Sequence, residues 1–259
     1  MKTKVFKILS VFISLFILGY IIYFINAFTG NPVSSAIATK KITSYVNKTY
    51  TTLDLIVPKA KYNFKDSSYY SIVKSKTSKD THFTISYGNG RINDSYEYEI
   101  GNKYTTFSRL SDELDKTIED ILKKEFPYQT DMVLADFAKD TDNYNKLTLD
   151  MPLDITDLPF PALLNVYIFS EEITYDFLAD RMLEVKNIMN SHNIKINTYS
   201  IILEDPDEEA RKTGTGQETL YLYDFPADKI QEDGLADILK EYKEQKDIED
   251  EAIKKNEID

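Results

Sequence analysis

The densest run of side chains able to do acid–base or nucleophilic chemistry is Asp80-Thr81-His82, preceded by Ser75, Thr77 and Ser78. In a catalytic reading, His82 is a general base oriented by Asp80, and a nearby hydroxyl is the nucleophile. A structural reading competes with it. Neighbours i and i+2 share a strand face only at the strand's very start, and this run falls where a turn is expected. Ser, Thr and Asp side chains there bond to their own backbone. The second histidine, His192, sits beside Asn190 and Asn193 at the end of a predicted helix, a common stop signal. Zinc would need both histidines plus carboxylates from distant segments, because the chain has no Cys. Calcium needs only oxygens, and Asp205, Asp207, Glu208 and Glu209 form the densest acidic cluster. Their spacing lacks the alternating ligands and the Gly of an EF-hand loop, and a solvated loop explains them better. Gly214-Thr215-Gly216 lacks the Lys and following hydroxyl of a phosphate-binding loop. No resident cofactor is expected.

The elements that would position these residues read as an α+β chain. Asn31-Pro32 is an N-cap followed by Pro at the first helical position. Ala38, Ile42, Tyr45, Val46 and Thr49 then repeat at helical spacing over 32–50. Leu53, Leu55 and Val57 alternate, Pro58 interrupts, and Ala60, Tyr62 and Phe64 resume on shifted parity, which predicts a bulge or bend. Tyr70 and Ile72 mark a second strand. Thr81, Phe83, Ile85 and Tyr87 alternate with His82, Thr84 and Ser86 as a third, ended by the turn Gly88-Asn89-Gly90. The expectation is a helix packed on a three-stranded antiparallel meander. Asp94 and Glu97 suggest a capping box. It opens a long connecting helix through Ile118 and Ile121 that ends before Phe126-Pro127, with Gly101-Asn102 able to interrupt it. A second, sandwich-like α+β domain follows, with strands at 132–137, 162–169, 194–203 and 219–225 and a helix from Phe177 to Met189. The second of these strands is almost continuously apolar and is expected to be central and buried on both faces. The predicted organisation is 1–30, an anchor; 31–127, a membrane-proximal domain with the connecting helix; 128–227, an acidic domain; and 228–259, a charged C-terminal helix.

The anchor is a single transmembrane helix. After Lys2, Lys4 and Lys7 no charged side chain occurs until Lys40 and Lys41, and Val5 to Phe28 is apolar enough to span roughly 30 Å of hydrocarbon. Val5, Phe12, Leu15, Leu18, Ile22 and Phe28 are among the lipid-facing residues expected, and Tyr20 and Tyr23 suit the interface. A cleaved signal would have a shorter core and a small-residue exit. Here the exit is Ile25-Asn26-Ala27-Phe28-Thr29. Lysine asymmetry predicts a cytoplasmic N-terminus with the bulk of the chain outside. The net charge of −12 is concentrated distally: residues 129–259 carry 13 Lys and Arg against 31 Asp and Glu, whereas 31–128 carry 15 against 12. Nucleic acid binding lacks its basic footprint. Zero Cys excludes thiol catalysis and disulfides. The Lys, Asn, Ile and Tyr-rich usage matches a low-GC Gram-positive bacterium.

Several stretches carry a family resemblance: Asn31-Pro32-Val33-Ser34 directly after the span, Tyr62-Asn63-Phe64-Lys65-Asp66, Ser75-Lys76-Thr77-Ser78-Lys79-Asp80-Thr81-His82-Phe83, and Asp150-Met151-Pro152. Together they resemble the YfjL-like membrane proteins of bacilli and relatives across nearly the whole chain. The resemblance implies a topology and a habitat rather than a mechanism. In pattern, residues 32–90 are also similar to PepSY-like modules, which implies an extracytoplasmic setting and an envelope protein or protease partner. The functional expectation is a non-enzymatic, membrane-tethered envelope protein of unknown ligand, in contact with the bilayer through residues 5–28. Two alternatives stay open: a cell-envelope hydrolase or transferase using Asp80 and His82, and a calcium-responsive sensor acting through the 204–209 loop.

Overall fold

A computed structural model describes residues 2–138 and 144–256, with side chains from Leu9 to Ile253. The chain is α+β, with a long N-terminal apolar helix and two sheets. It divides into two compact units, 1–106 with 147–150, and 107–146 with 151–259.

In the first unit, helix α1 (Lys2–Thr29) ends at Gly30, and α2 (Pro32–Thr49) begins after the cap Asn31, whose Oδ1 accepts the Ser34 N–H at 2.8 Å. The expected first strand is split around Pro58 into β1 (Leu55–Ile56) and β2 (Lys61–Asn63), both antiparallel to β3 (Ser68–Ser75). Pro has no N–H to give to a ladder, so the strand bows there and resumes on the other parity. Strand β4 (His82–Gly88) pairs with β3. The meander has one strand more than the three expected: β5 (Arg91–Asp94) folds back on β4 through Asn89 (φ 50°) and Gly90 (φ 76°). That two-residue loop with both φ positive is the turn that an Asn-Gly pair favours in hairpins. Ala38, Ile42 and Val46 of α2 pack against Val73, Phe83 and Ile85 of the sheet. In β3 the core face carries Ser71 and Val73, while Ile72 points out.

The expected capping box does not form. Asp94 instead closes β5, and the chain makes a π-turn (Glu97–Gly101) before α3 (Tyr104–Glu125) starts. Lys103, at φ 66°, separates the two, so the interruption falls at the Gly101-Asn102 step.

In the second unit α3 buries Leu110, Leu114, Ile118 and Leu122, a stripe at i, i+4, i+8 and i+12. Each such side chain contributes about 1.5–3 kcal/mol. The sheet is β6 (Thr130–Phe137), β7 (Ala162–Phe169), β8 (Ile196–Glu204) and β9 (Leu220–Pro226), arranged in chain order. Only β7 and β8 are parallel, joined by α4 (Tyr175–Ser191) as their crossover. Strand β7 is central, but its residues alternate between fully and partly buried instead of being sealed on both faces. Its continuous apolarity therefore reflects a second face that is half covered. Helix α4 packs on β8 and against α6 (Leu235–Asn256). At the rim of the sheet, Asp115 of α3 accepts the Ala135 N–H at 2.8 Å, and the Asp136 carboxylate accepts the Phe137 N–H at 2.8 Å. Two N–H groups of β6 that point away from β7 are thereby taken.

Candidate functional site

The hydroxyl-rich run before β4 is a self-bonded loop. Ser75 Oγ accepts the N–H groups of Thr77 and Ser78 at 3.1 Å each, and Ser78 Oγ accepts the Thr81 N–H at 2.9 Å. Asp80 is fully buried. Its Oδ2 accepts the Asp150 N–H at 2.7 Å, and Asp150 Oδ1 in turn accepts the Asp80 N–H at 2.9 Å. Asp150 holds φ at 63°, a left-handed conformation that Asp tolerates better than most residues. The two aspartates form a reciprocal brace between segments seventy residues apart in the chain. His82 is directed elsewhere: its Nδ1 lies 3.2 Å from the Lys79 carbonyl, and among the described residues its ring bonds to no carboxylate. Asp80 and His82 are thus adjacent in sequence but not joined as base and orienting acid.

The second histidine caps α4. His192 Nε2 lies 2.7 Å from Glu125 Oε1 at the end of α3. Asn193 adopts φ 58°, and the Ile194 N–H reaches back 3.0 Å to the Met189 carbonyl, a C-terminal closure of the Schellman kind.

In the acidic cluster the carboxylates of Asp205, Asp207 and Glu208 have local tasks. Asp205 accepts the N–H groups of Asp207 and Gln217, both at 2.9 Å, which holds its carboxyl below the usual carboxylate range. Asp207 N-caps a short helix, α5 (Glu208–Thr213), by accepting the N–H of Glu209 and Ala210. Glu208 pairs with Lys212 at 2.5 Å. The Glu209 backbone carbonyl accepts the Thr213 hydroxyl at 2.8 Å. Among the described residues no group of three or more His, Asp and Glu side chains converges where a metal ion could sit.

Three constellations escape a reading by sequence. Asp94 Oδ2 accepts the hydroxyls of Tyr45 at 2.9 Å and Tyr50 at 2.5 Å, while Oδ1 accepts the Tyr96 N–H at 2.8 Å. Burial and the Asp94 carboxylate both push the Tyr50 hydroxyl well above its ordinary pKa. Phe83 packs edge to face against both Tyr50 and Tyr96, whose own rings are tilted at 37° with centres 4.8 Å apart. In the second unit, Tyr221 and Tyr223 of β9 face Tyr242, Lys243 and Lys246 of α6 across a groove of about 200 Å³. The Lys243 ammonium sits 4.1 Å from the Tyr221 ring centre. Burial opposes its charge, but hydrogen bonds with Asp247 and Tyr221 raise its pKa.

The third is the junction where α1 ends. Gly30 has φ 67°, and a Cβ there would fall 2.6 Å from Tyr62 Cγ and 2.7 Å from the Tyr69 hydroxyl. The Asn31 N–H donates to that hydroxyl at 2.9 Å. Phe28 rests against Phe64 with ring centres 5.9 Å apart. Before the junction, Phe12, Leu15, Leu18, Ile22 and Phe28 are all exposed along α1. Val5 lies in the same helix, with its side chain outside those described. By length and composition α1 is able to cross a membrane, and no residue of its apolar window is buried in the protein. The signal for the junction was the glycine at the helix exit, but its two tyrosine partners lie more than thirty residues downstream.

No curated protein and no solved structure matches the chain. Family comparison is decisive where these are silent: residues 4–98 match the YfjL-like, N-terminal domain and residues 113–240 the YfjL-like C-terminal domain. With both domains in their order and most of its length covered, the chain belongs to the YfjL-like family.

Proposed function

We propose that this protein is tethered to the cell membrane by α1, with its folded units on the outer face, where they bind another envelope protein or envelope component rather than catalyse a reaction. The observation that carries the reading is the bare apolar surface of α1. Fifteen large hydrophobic side chains between Leu9 and Phe28 are exposed. Transfer of such a surface to lipid is favourable on the order of 10 kcal/mol or more. The orientation rests on Lys2, Lys4 and Lys7 before the span and their absence just after it. A binding role is supported by the bonds already described, in which Asp80, Asp205 and Asp207 hold backbone groups. The tyrosine-rich groove between β9 and α6, where Lys243 and Lys246 already pair with Asp247 and Glu249, offers a surface for a partner.

The test uses intact cells carrying a tagged full-length copy and a membrane-impermeant amine crosslinker, with Lys59, Lys61 and Lys240 as handles. Discrete higher-mass adducts, identified by mass spectrometry, support the outward orientation and name a neighbour. Lysines that react only after the membrane is opened place the folded units in the cytoplasm and overturn the proposal.

A further inference from the structure

Strand β2 and the residues that flank it, 59–66, carry the exposed Phe64 and three lysines beside the end of the apolar helix. Phe64 is 54% exposed and Phe28 is 53% exposed, yet each is the other's aromatic neighbour. Phe28 is the next-to-last residue of α1, so a bilayer that receives α1 meets Phe64 at the edge of its hydrocarbon. The strand behind Phe64 is fixed to the start of α2. Ser35 Oγ donates to the Ala60 carbonyl at 2.5 Å, and the Ala60 N–H donates to Thr39 Oγ1 at 2.9 Å. Strand β2 also contacts α1 directly, and Tyr62 of that strand closes on Gly30 at the helix exit. The headgroup layer is about 5–8 Å deep on each side. Lys59 and Lys61 flank Ala60, and Lys65 follows Phe64, so all three side chains leave the backbone close to the segment that meets the end of α1. All three are exposed, and among the described residues none forms an ion pair, whereas Lys76, Lys123, Lys212 and Lys243 each do. The one acid between β2 and β3, Asp66, is exposed, and its Oδ1 accepts the N–H and hydroxyl of Ser68.

We infer that this segment is a second membrane contact: Phe64 enters the interface beside Phe28, while Lys59, Lys61 and Lys65 bind the phosphates of anionic lipids. The inference rests on the membrane-span reading of α1. An aromatic ring flanked by long cationic side chains is the combination that the interface favours, since the ring is amphipathic and the lysine stems snorkel to the phosphates. Attraction of lysines to an anionic surface is worth about a fivefold change in the bound ratio for each side chain. The folded unit is thereby held against the bilayer rather than hung from it.

The chain contains no Trp, so a single introduced indole reports its own position. Full-length Phe64→Trp is reconstituted into phosphatidylcholine vesicles with and without phosphatidylglycerol. Phe16→Trp in mid-span, at a position 76% exposed, and Tyr98→Trp, at a position 66% exposed in the same folded unit, serve as references. The expected result is blue-shifted Phe64→Trp emission that is quenched by shallow nitroxide lipids and strengthened by phosphatidylglycerol. Replacing Lys59, Lys61 and Lys65 with Gln lowers the docked-to-free ratio by about fivefold per lysine. Phe64→Trp emission quenched by aqueous acrylamide as strongly as Tyr98→Trp, with Phe16→Trp still quenched deep in the bilayer, refutes the contact while leaving the anchor in place. Docking indifferent to phosphatidylglycerol and to the three lysines overturns the lipid-phosphate recognition. Water-quenched Phe16→Trp would instead remove the span on which the inference rests.

Discussion

Replacing Gly30 by Ala tests whether the junction after α1 contributes to folding or merely follows from it. Two costs add at this position. A non-glycine residue at φ 67° costs about 1–2 kcal/mol from the Cβ against its own backbone. The same Cβ would lie 2.6–2.7 Å from Tyr62 Cγ and Cβ, which sit at the root of the side chain and cannot rotate away. Overpacking of that kind costs typically about 1–3 kcal/mol more. Gly90 separates the two terms, because its φ is 76° but nothing lies within 4 Å of its would-be Cβ. Gly90→Ala should therefore lose only the backbone term. For a unit of about a hundred residues, about 1 kcal/mol moves Tm by roughly 4–8 °C. Thermal unfolding of the full-length protein in detergent, followed by circular dichroism and tyrosine fluorescence, should show Gly30→Ala falling by two to three times the shift of Gly90→Ala. Gly19→Ala, inside α1 and with no neighbour within 4 Å, is the control expected to leave Tm unchanged or to raise it through helix propensity. Equal shifts for Gly30→Ala and Gly90→Ala would mean that Tyr62 and Tyr69 do not close on the junction, and the argument for a fixed helix exit would fail.

Asp80→Ala removes the acceptor of the buried Asp150 N–H and should destabilise by about 1–3 kcal/mol, whereas His82→Ala, with one bond to the Lys79 carbonyl, should stay within about 0.5 kcal/mol. Equal losses in urea titrations would contradict the division of roles. Tyr50→Phe deletes a 2.5 Å bond to a carboxylate and should cost about 1.5–3 kcal/mol, read from the same titrations, with Tyr45→Phe as the milder companion. The depressed pKa of Asp205, caused by the N–H groups of Gln217 and Asp207, gives its loop an acid limit. That contribution is complete above the unfolded Asp value of about 3.9 and disappears as pH falls through the lower folded value. Hydrogen exchange at the Gln217 amide should accelerate only in that acid window, relative to the intrinsic rate, and Asp205→Asn should flatten the profile; a protection independent of pH in both chains would contradict it.

Much of the architecture follows from local physics and so was readable. The Asn31 cap, the break at Pro58, the alternation of Thr81, Phe83 and Ile85, and the four distal strands all depend on residues a few positions apart. Strand β5 was missed although Asn89-Gly90 announced a hairpin, because Arg91–Asp94 is too short and polar to register as a periodic run. The supposed capping box failed for a related reason. Asp94 had an alternative use, accepting two tyrosine hydroxyls from α2 and its C-cap more than forty residues earlier. The Asp80–Asp150 brace and the closure of Tyr62 and Tyr69 over Gly30 are likewise long-range pairings. Composition weighs such residues by type, whereas only the tertiary path decides which of them meet.

The blocked rim at β6 bears on how this protein can associate. An edge strand offers its spare N–H groups as a template, and a sheet open on both sides can grow without limit. Asp115 and Asp136 occupy two successive positions on the C-terminal half of β6, which leaves β9 as the rim without such a block along this sheet. A sheet with one usable rim can join a second copy only rim to rim, about a two-fold axis, and the pair then has no rim left to offer. Strand addition at the β9 rim of this sheet would therefore end at a dimer.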